Sequence, residues 1–132
     1  MKKNSYLLIL ALCIISTNVF AQTSFSCKYR EYCTWSDYYQ KFKNCKGYED
    51  ASLFVMNKSE TMFTHTTNSI KSTYYVRSKQ YDKEHDVFTY SVTSDVGNKY
   101  YYVFDLNNKE IRILAKQNGT TTLVRFYVKA IF

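Results

Sequence analysis

The chain reads as a mainly β protein: an antiparallel meander of about seven strands forming a small barrel or sandwich, with a short N-terminal helix. Three observations lead there. The 132 residues carry 14 Tyr and 9 Phe against 3 Gly and no Pro, and such aromatic side chains favour a pleated, half-buried surface. The scarcity of Gly and Pro also argues against disorder. Polar turn signals recur regularly from residue 51 onward, and the connections are too short for the crossover helices that parallel neighbours need.

The first segment, 1–21, reads as an export signal. Lys2 and Lys3 give a positive start, 6–15 is an apolar run, and Val19-Phe20-Ala21 offers a cleavage site before Gln22. The apolar run is too short to span a bilayer as a helix, which takes about 20 apolar residues. Cys13 raises a rival, acylation of a lipoprotein cysteine, but the bulky Leu12 precedes it where such signals want a small residue. The expected localisation is therefore secreted or periplasmic. Loss of Lys2 and Lys3 turns 18 basic against 11 acidic residues into 16 against 11, a net charge of +5.

Residues 22–50 form a cysteine-bearing segment expected to pack with the meander 51–132 as one domain. Within it, Tyr32, Trp35, Tyr39 and Phe42 are spaced as a helical stripe, which predicts a short helix over 31–44 lying across one opening of the sheet. Cys27, Cys33 and Cys45 remain after cleavage, and an oxidising compartment favours one disulfide with one thiol left over. A continuous helix would hold Cys33 and Cys45 about 18 Å apart, well beyond the roughly 7 Å a disulfide permits. Hence Cys27 is expected to pair with Cys45, with Cys33 left over.

The expected strands are 51–56, 61–66, 73–81, 87–93, 99–104, 110–116 and 120–129, with Asn118-Gly119 as the sharpest hairpin signal. Alternation puts Phe88, Tyr90 and Val92 on the core face. Tyr100, Tyr102 and Phe104, then Ile111 and Ile113, then Val124, Phe126 and Val128 follow the same rule. Arg77 is expected to share a face with Tyr75, Lys79 and Tyr81.

Catalytic signals are thin. No G-x-S-x-G, H-E-x-x-H, C-x-x-C or glycine-rich phosphate loop occurs, so no catalytic residue, cofactor or metal site is expected. His65 shares the strand period of Phe63 and reads as a histidine in or beside the core; His85, between Glu84 and Asp86, reads as a solvated turn residue. What remains is a surface. Lys99, Tyr101, Arg112, Arg125 and Tyr127 fall on outward positions of consecutive strands, a candidate ligand-binding face for an anionic glycan, a lipid headgroup or another anionic macromolecule. Interleaved acidic residues speak against a dedicated nucleic-acid module. The chain thus reads as an exported, non-catalytic binding module acting through that face or a barrel cavity; a small enzyme with an unrecognised site and a structural envelope component are the alternatives.

The exported protein is expected to begin at Gln22 without acyl lipid. Its intact mass checks this, and retention of 1–21 or a lipid on Cys13 would contradict it.

Overall fold

The computed structural model describes residues 22–68 and 70–132, so the expected signal segment 1–21 lies outside the described residues. Eight antiparallel strands follow one another around a closed barrel: β1 (Thr23–Ser36), β2 (Lys41–Met56), β3 (Met62–Thr67), β4 (Ile70–Asp82), β5 (Val87–Ser94), β6 (Lys99–Asp105), β7 (Glu110–Gln117) and β8 (Thr120–Ile131). Each pairs with its successor, and β1 closes the ring against β8, from Phe25 opposite Ile131 to Thr34 opposite Thr122. Closure decides between barrel and sandwich, and it leaves no long sheet edge to attract a foreign strand. Among the described residues no helix is long and apolar enough to cross a membrane.

The expected helix over 31–44 is replaced by the β1–β2 hairpin. Trp35 lies opposite Phe42 across that hairpin, their rings 5.1 Å apart edge to face. The turn between them is held locally. Trp35 Nε1 donates to Asp37 Oδ1 at 3.0 Å, the Tyr39 amide donates to Ser36 Oγ at 3.2 Å, and Gln40 takes a φ of 52°. Spacings of three and four that suggest a helical stripe arise here from two strands folded back on each other. Cys33, Thr34 and the tyrosines are poor helix formers, and the β8 edge gives β1 a ladder that a lone helix would forgo.

The disulfide changes with the helix. Cys33 bonds to Cys45, their Cα atoms 4.2 Å apart, while Cys27 is the free, buried thiol. The pairing of Cys27 with Cys45 thus gives way because its premise, an extended rise between residues 33 and 45, is absent. Register explains the match: Thr34 faces Lys43 and Tyr32 faces Lys46, so Asn44 and Cys45 together lie opposite Cys33. Asn44 absorbs this bulge with a φ of 55°, a conformation that Asn tolerates better than most residues.

The core alternation holds in the meander. Tyr90, Val92, Tyr102, Ile111, Phe126 and Val128 are buried with Phe25, Phe54, Met56 and Phe63, and Tyr100, Phe104, Ile113 and Val124 pack against them. Phe88 sits instead at an open end, 40% exposed. The interior is mainly aromatic: Phe54 meets Phe126 at 5.1 Å and Phe63 meets Tyr102 at 4.8 Å, both edge to face. Such pairs add about 0.5–1.5 kcal/mol each beyond area burial. The hairpin at Asn118-Gly119 has φ values of 51° and 78°, the two positive angles of a primed turn.

One face assignment fails. Val76 lies opposite Val92 but Ser78 lies opposite Ser91, so Arg77 is an extra residue in β4. A bulge reverses the alternation beyond it. Lys79 and Tyr81 therefore turn to the side of their partners Tyr90 and Phe88, away from the face of Tyr75.

Peptide mapping without reduction should link Cys33 to Cys45, and one thiol, Cys27, should react only after denaturation. Replacing both Cys33 and Cys45 with Ser should keep the barrel and cost about 2–3 kcal/mol in urea unfolding, because the bridge closes a short loop. A map joining Cys27 to Cys45 would contradict the hairpin.

Candidate functional site

The outward face chosen from the sequence is assembled in four rows across the sheet. Arg112 lies between Val103 and Arg125, and Arg125 lies opposite Glu31; one row on, Glu110 lies between Asp105 and Tyr127, which faces Tyr29. Arg125 Nη1 meets Glu31 Oε1 at 2.9 Å, and Arg112 Nη1 reaches Glu110 Oε2 at 2.8 Å and Asp105 Oδ2 at 3.1 Å. Two guanidinium groups are thus set among three carboxylates. Burial by itself would raise the pKa of Asp105, but hydrogen bonds from Asn108 and Arg112 outweigh it and hold the group below its ordinary value.

Tyr127 and Tyr29 bring their rings within 5.6 Å, and Tyr29 lies across Gly47, where a Cβ would fall 1.8 Å from the phenol oxygen. Lys99 and Tyr101 border a shallow outer groove with Leu114 and Lys116. Tyr101 lies in the row of Leu114 and Leu123, next to the row of the arginines, and Lys99 lies one row further out. The five candidates share one side of the sheet, yet they do not make one surface of positive charge.

The two barrel ends differ in kind. At one end a cavity of about 330 Å³ is lined by Phe25, Met56, Phe88, Tyr90, Phe104 and Leu106, among others. Its polar groups are satisfied by one another. Lys79 Nζ lies 2.5 Å from Glu60 Oε2, and Tyr90 Oη donates to Glu60 Oε1 at 3.1 Å. Lys79 also sits 4.1 Å from the Phe88 ring centroid. The hydrogen bond from Lys79, stronger than the opposing burial, lowers the pKa of Glu60.

At the other end a cavity of about 190 Å³ is lined by Arg30, Tyr32, His65, Tyr74, Tyr100 and Tyr102, with Ile113, Ala115, Thr122, Val124 and Phe126 completing its wall. Here polar capacity is left over. His65 stacks on Phe54, ring centroids 4.0 Å apart, and meets Phe126 edge-on at 5.1 Å; its Nε2 is buried without a hydrogen-bond partner. Burial first, and the nearby Arg30 charge second, lower its pKa to about 4, so the ring is neutral at pH 7. Ser52 Oγ, on the neighbouring strand, is also buried without a partner. Arg30 Nε lies 2.9 Å from Asp50 Oδ2 as an ion pair in which neither atom makes a hydrogen bond, and its guanidinium lies 4.6 Å from the Tyr48 ring centroid. His65 therefore shares Phe63's inward face as the strand period implies, while Arg30, Asp50 and Tyr32 were hidden by the helical reading of their segment.

Other chemistry-bearing groups are already occupied. Glu31, Cys33 and Cys45 bring ligand-type atoms within 4.8 Å of one another, but the two sulfurs are bonded together and offer no thiolate to a metal. Cys27 is buried, and desolvation pushes its thiol up to about 12, far from the low values of nucleophilic cysteines. His85 pairs with Asp82 at 2.8 Å in an exposed turn, and that hydrogen bond raises its pKa.

His65 also makes stability depend on pH. Its folded pKa is depressed, so the unfolded chain takes up the proton first; stability is fully present above about pH 6.5 and falls as pH drops toward 4. The loss should reach about 3 kcal/mol, and His65→Phe should remove that part of the slope. Urea unfolding of both proteins at pH 7 and pH 4.5 measures it, and equal slopes would refute the assignment. The chain matches no protein-family model, no curated protein and no solved structure.

Proposed function

We propose that this chain is an exported, non-catalytic binding module that takes a small ligand in the barrel mouth at Arg30 and His65. The observation that carries the reading is the His65 Nε2 atom, buried at that mouth without a partner. Buried polar atoms are paired in the great majority of cases, and leaving one unpaired costs about 1–3 kcal/mol. A bound ligand that offers a hydrogen bond there removes the cost. Eight strands suit this role, because a barrel of that size encloses room for side chains or for one small molecule. The space, about 190 Å³, is of the order of a cavity that holds a single benzene ring, about 150 Å³.

Binding is favoured over turnover by what surrounds His65. A catalytic histidine needs a nucleophile or a reacting proton in reach and a group that orients its ring. The neighbours here are Arg30, Phe54, Phe126 and tyrosines, and neither His65 Nε2 nor the buried Ser52 Oγ has a hydrogen-bond partner, so no Ser–His pair is formed. Export is supported by the signal-like residues 1–21 and by the Cys33–Cys45 bridge, which suits an oxidising compartment. The anionic partner proposed from sequence now has less support at Arg112 and Arg125, whose charges are matched by Glu31, Asp105 and Glu110. The other end of the barrel is the weaker candidate for a site, since Glu60, Lys79 and Tyr90 already satisfy one another.

A panel of small ring compounds followed by NMR should give saturable shifts at His65, Tyr32, Tyr74 and Tyr100. Ala115→Phe, which fills the mouth, should weaken binding at least about tenfold, in keeping with the dependence of pocket binding on shape. Saturable binding that ignores Ala115→Phe, or a panel that leaves these residues unperturbed, would overturn the reading.

A further inference from the structure

We propose that the mouth at Arg30 and His65 selects a small flat ring carrying a carboxylate, with the carboxylate at the Arg30 guanidinium and the ring among the tyrosines. This rests on the binding reading above and adds the class of ligand.

Shape comes from the walls. Tyr74 lies 5.1 Å from Tyr102 and 5.9 Å from Tyr100, ring centroid to ring centroid, and Tyr32 completes the aromatic lining. Aromatic faces and edges set about a cavity of one-ring size favour a slab over a chair-shaped body. His65 is held against Phe54, so its unpaired Nε2 is fixed in place and not free to turn toward solvent.

Charge comes from the asymmetry of the Arg30–Asp50 pair. Asp50 engages Nε, which leaves the terminal amino groups outside that contact; the arginine side chain is 32% exposed and the aspartate 7%. The cation is therefore the more accessible member of the pair. A guanidinium can present two parallel N–H groups to a carboxylate, a geometry that gives direction as well as attraction. The groups around His65 agree. Arg30 and Tyr32 come from β1, Tyr74 from β4, and Tyr100 and Tyr102 from β6. Arg30 is the charged group that His65 senses, and it disfavours a second cation there. An ammonium ligand would meet the same repulsion, and a neutral ring would leave the guanidinium fork unused.

A carboxylate placed beside Arg30 offsets that repulsion, so it should raise the pKa of His65 and bind more tightly as pH falls. The test uses the full chain as purified and four probes, benzoate, benzamide, cyclohexanecarboxylate and benzylamine, with calorimetry for affinity and NMR for the His65 ring. Benzoate should bind at least about tenfold more tightly than benzamide or benzylamine and about fivefold more tightly than cyclohexanecarboxylate. Its affinity should improve about threefold from pH 7 to pH 5, with a matching upward shift in the His65 titration. Arg30→Gln should remove the preference for benzoate over benzamide; Arg30→Lys keeps the charge and should retain part of it. If Arg30→Gln does not fold, the His65 titration of the unaltered protein with and without benzoate decides by itself. Equal binding of benzamide or benzylamine at the mouth would overturn the carboxylate class and leave the mouth as a site. Failure of all four probes to move His65 would overturn the class as well, and only a null in the broader ring panel would also remove the binding reading.

Discussion

The pairing of β1 with β8 is the constraint on which the other features depend. It closes the barrel from Phe25 opposite Ile131 to Thr34 opposite Thr122, and it brings Ser24 and Phe132 into reciprocal backbone hydrogen bonds of 2.7 and 2.9 Å. Without it β1 and β8 would each present an open ladder, a liability in an aromatic-rich chain. One strand then serves several layers. β1 sends Phe25 and Cys27 to the core, Arg30 and Tyr32 to a mouth, Glu31 to the outer ion pairs and Cys33 to the disulfide.

Bulges redistribute side chains that plain alternation would leave on one side. The irregularity between Cys27 and Tyr29 lets β1 supply buried Cys27 and then cavity-lining Arg30 and Tyr32. The extra residue at Arg77 turns Lys79 toward Glu60 and Phe88. Each bulge forfeits a regular ladder position and re-aims the strand, a trade seen often at barrel rims. The result is a barrel whose two ends are chemically opposite. One is apolar and internally neutralised, and the other is aromatic, with a partly exposed cation and an unpaired imidazole nitrogen.

Net charge is a poor guide to where this protein attracts anions. The basic residues of the outer face are met by carboxylates in register, so long-range attraction from Arg112 and Arg125 is cancelled within a few ångströms. Arg30 differs because its counter-ion Asp50 is buried while the arginine side chain stays partly exposed. Charge that survives pairing at a concave, low-dielectric surface acts more strongly than charge spread over a solvated sheet.

The residues alone determined the β class, the antiparallel order and the inward face of the last four strands. Aromatic content, alternation and turn residues such as Asn118-Gly119 are local signals, and each agrees with its neighbours. Eight strands instead of about seven, the Cys33–Cys45 bridge and the Arg30 mouth were decided by the tertiary structure. Residues 31–44 have a spacing compatible with a helix, and what tips them into a hairpin is the ladder offered by β8, nearly one hundred positions away in the sequence. A helix over 31–44 and a 33–45 bridge exclude each other, and the ladder with β8 selects the bridge. Arg77 and Cys27 teach the same lesson at smaller scale, because a bulge depends on the register of two strands and leaves little trace in either one. The pairing of Arg112 and Arg125 with Glu31, Glu110 and Asp105 likewise exists only once the barrel sets the rows side by side, since attraction between charges depends on distance in space and not along the chain.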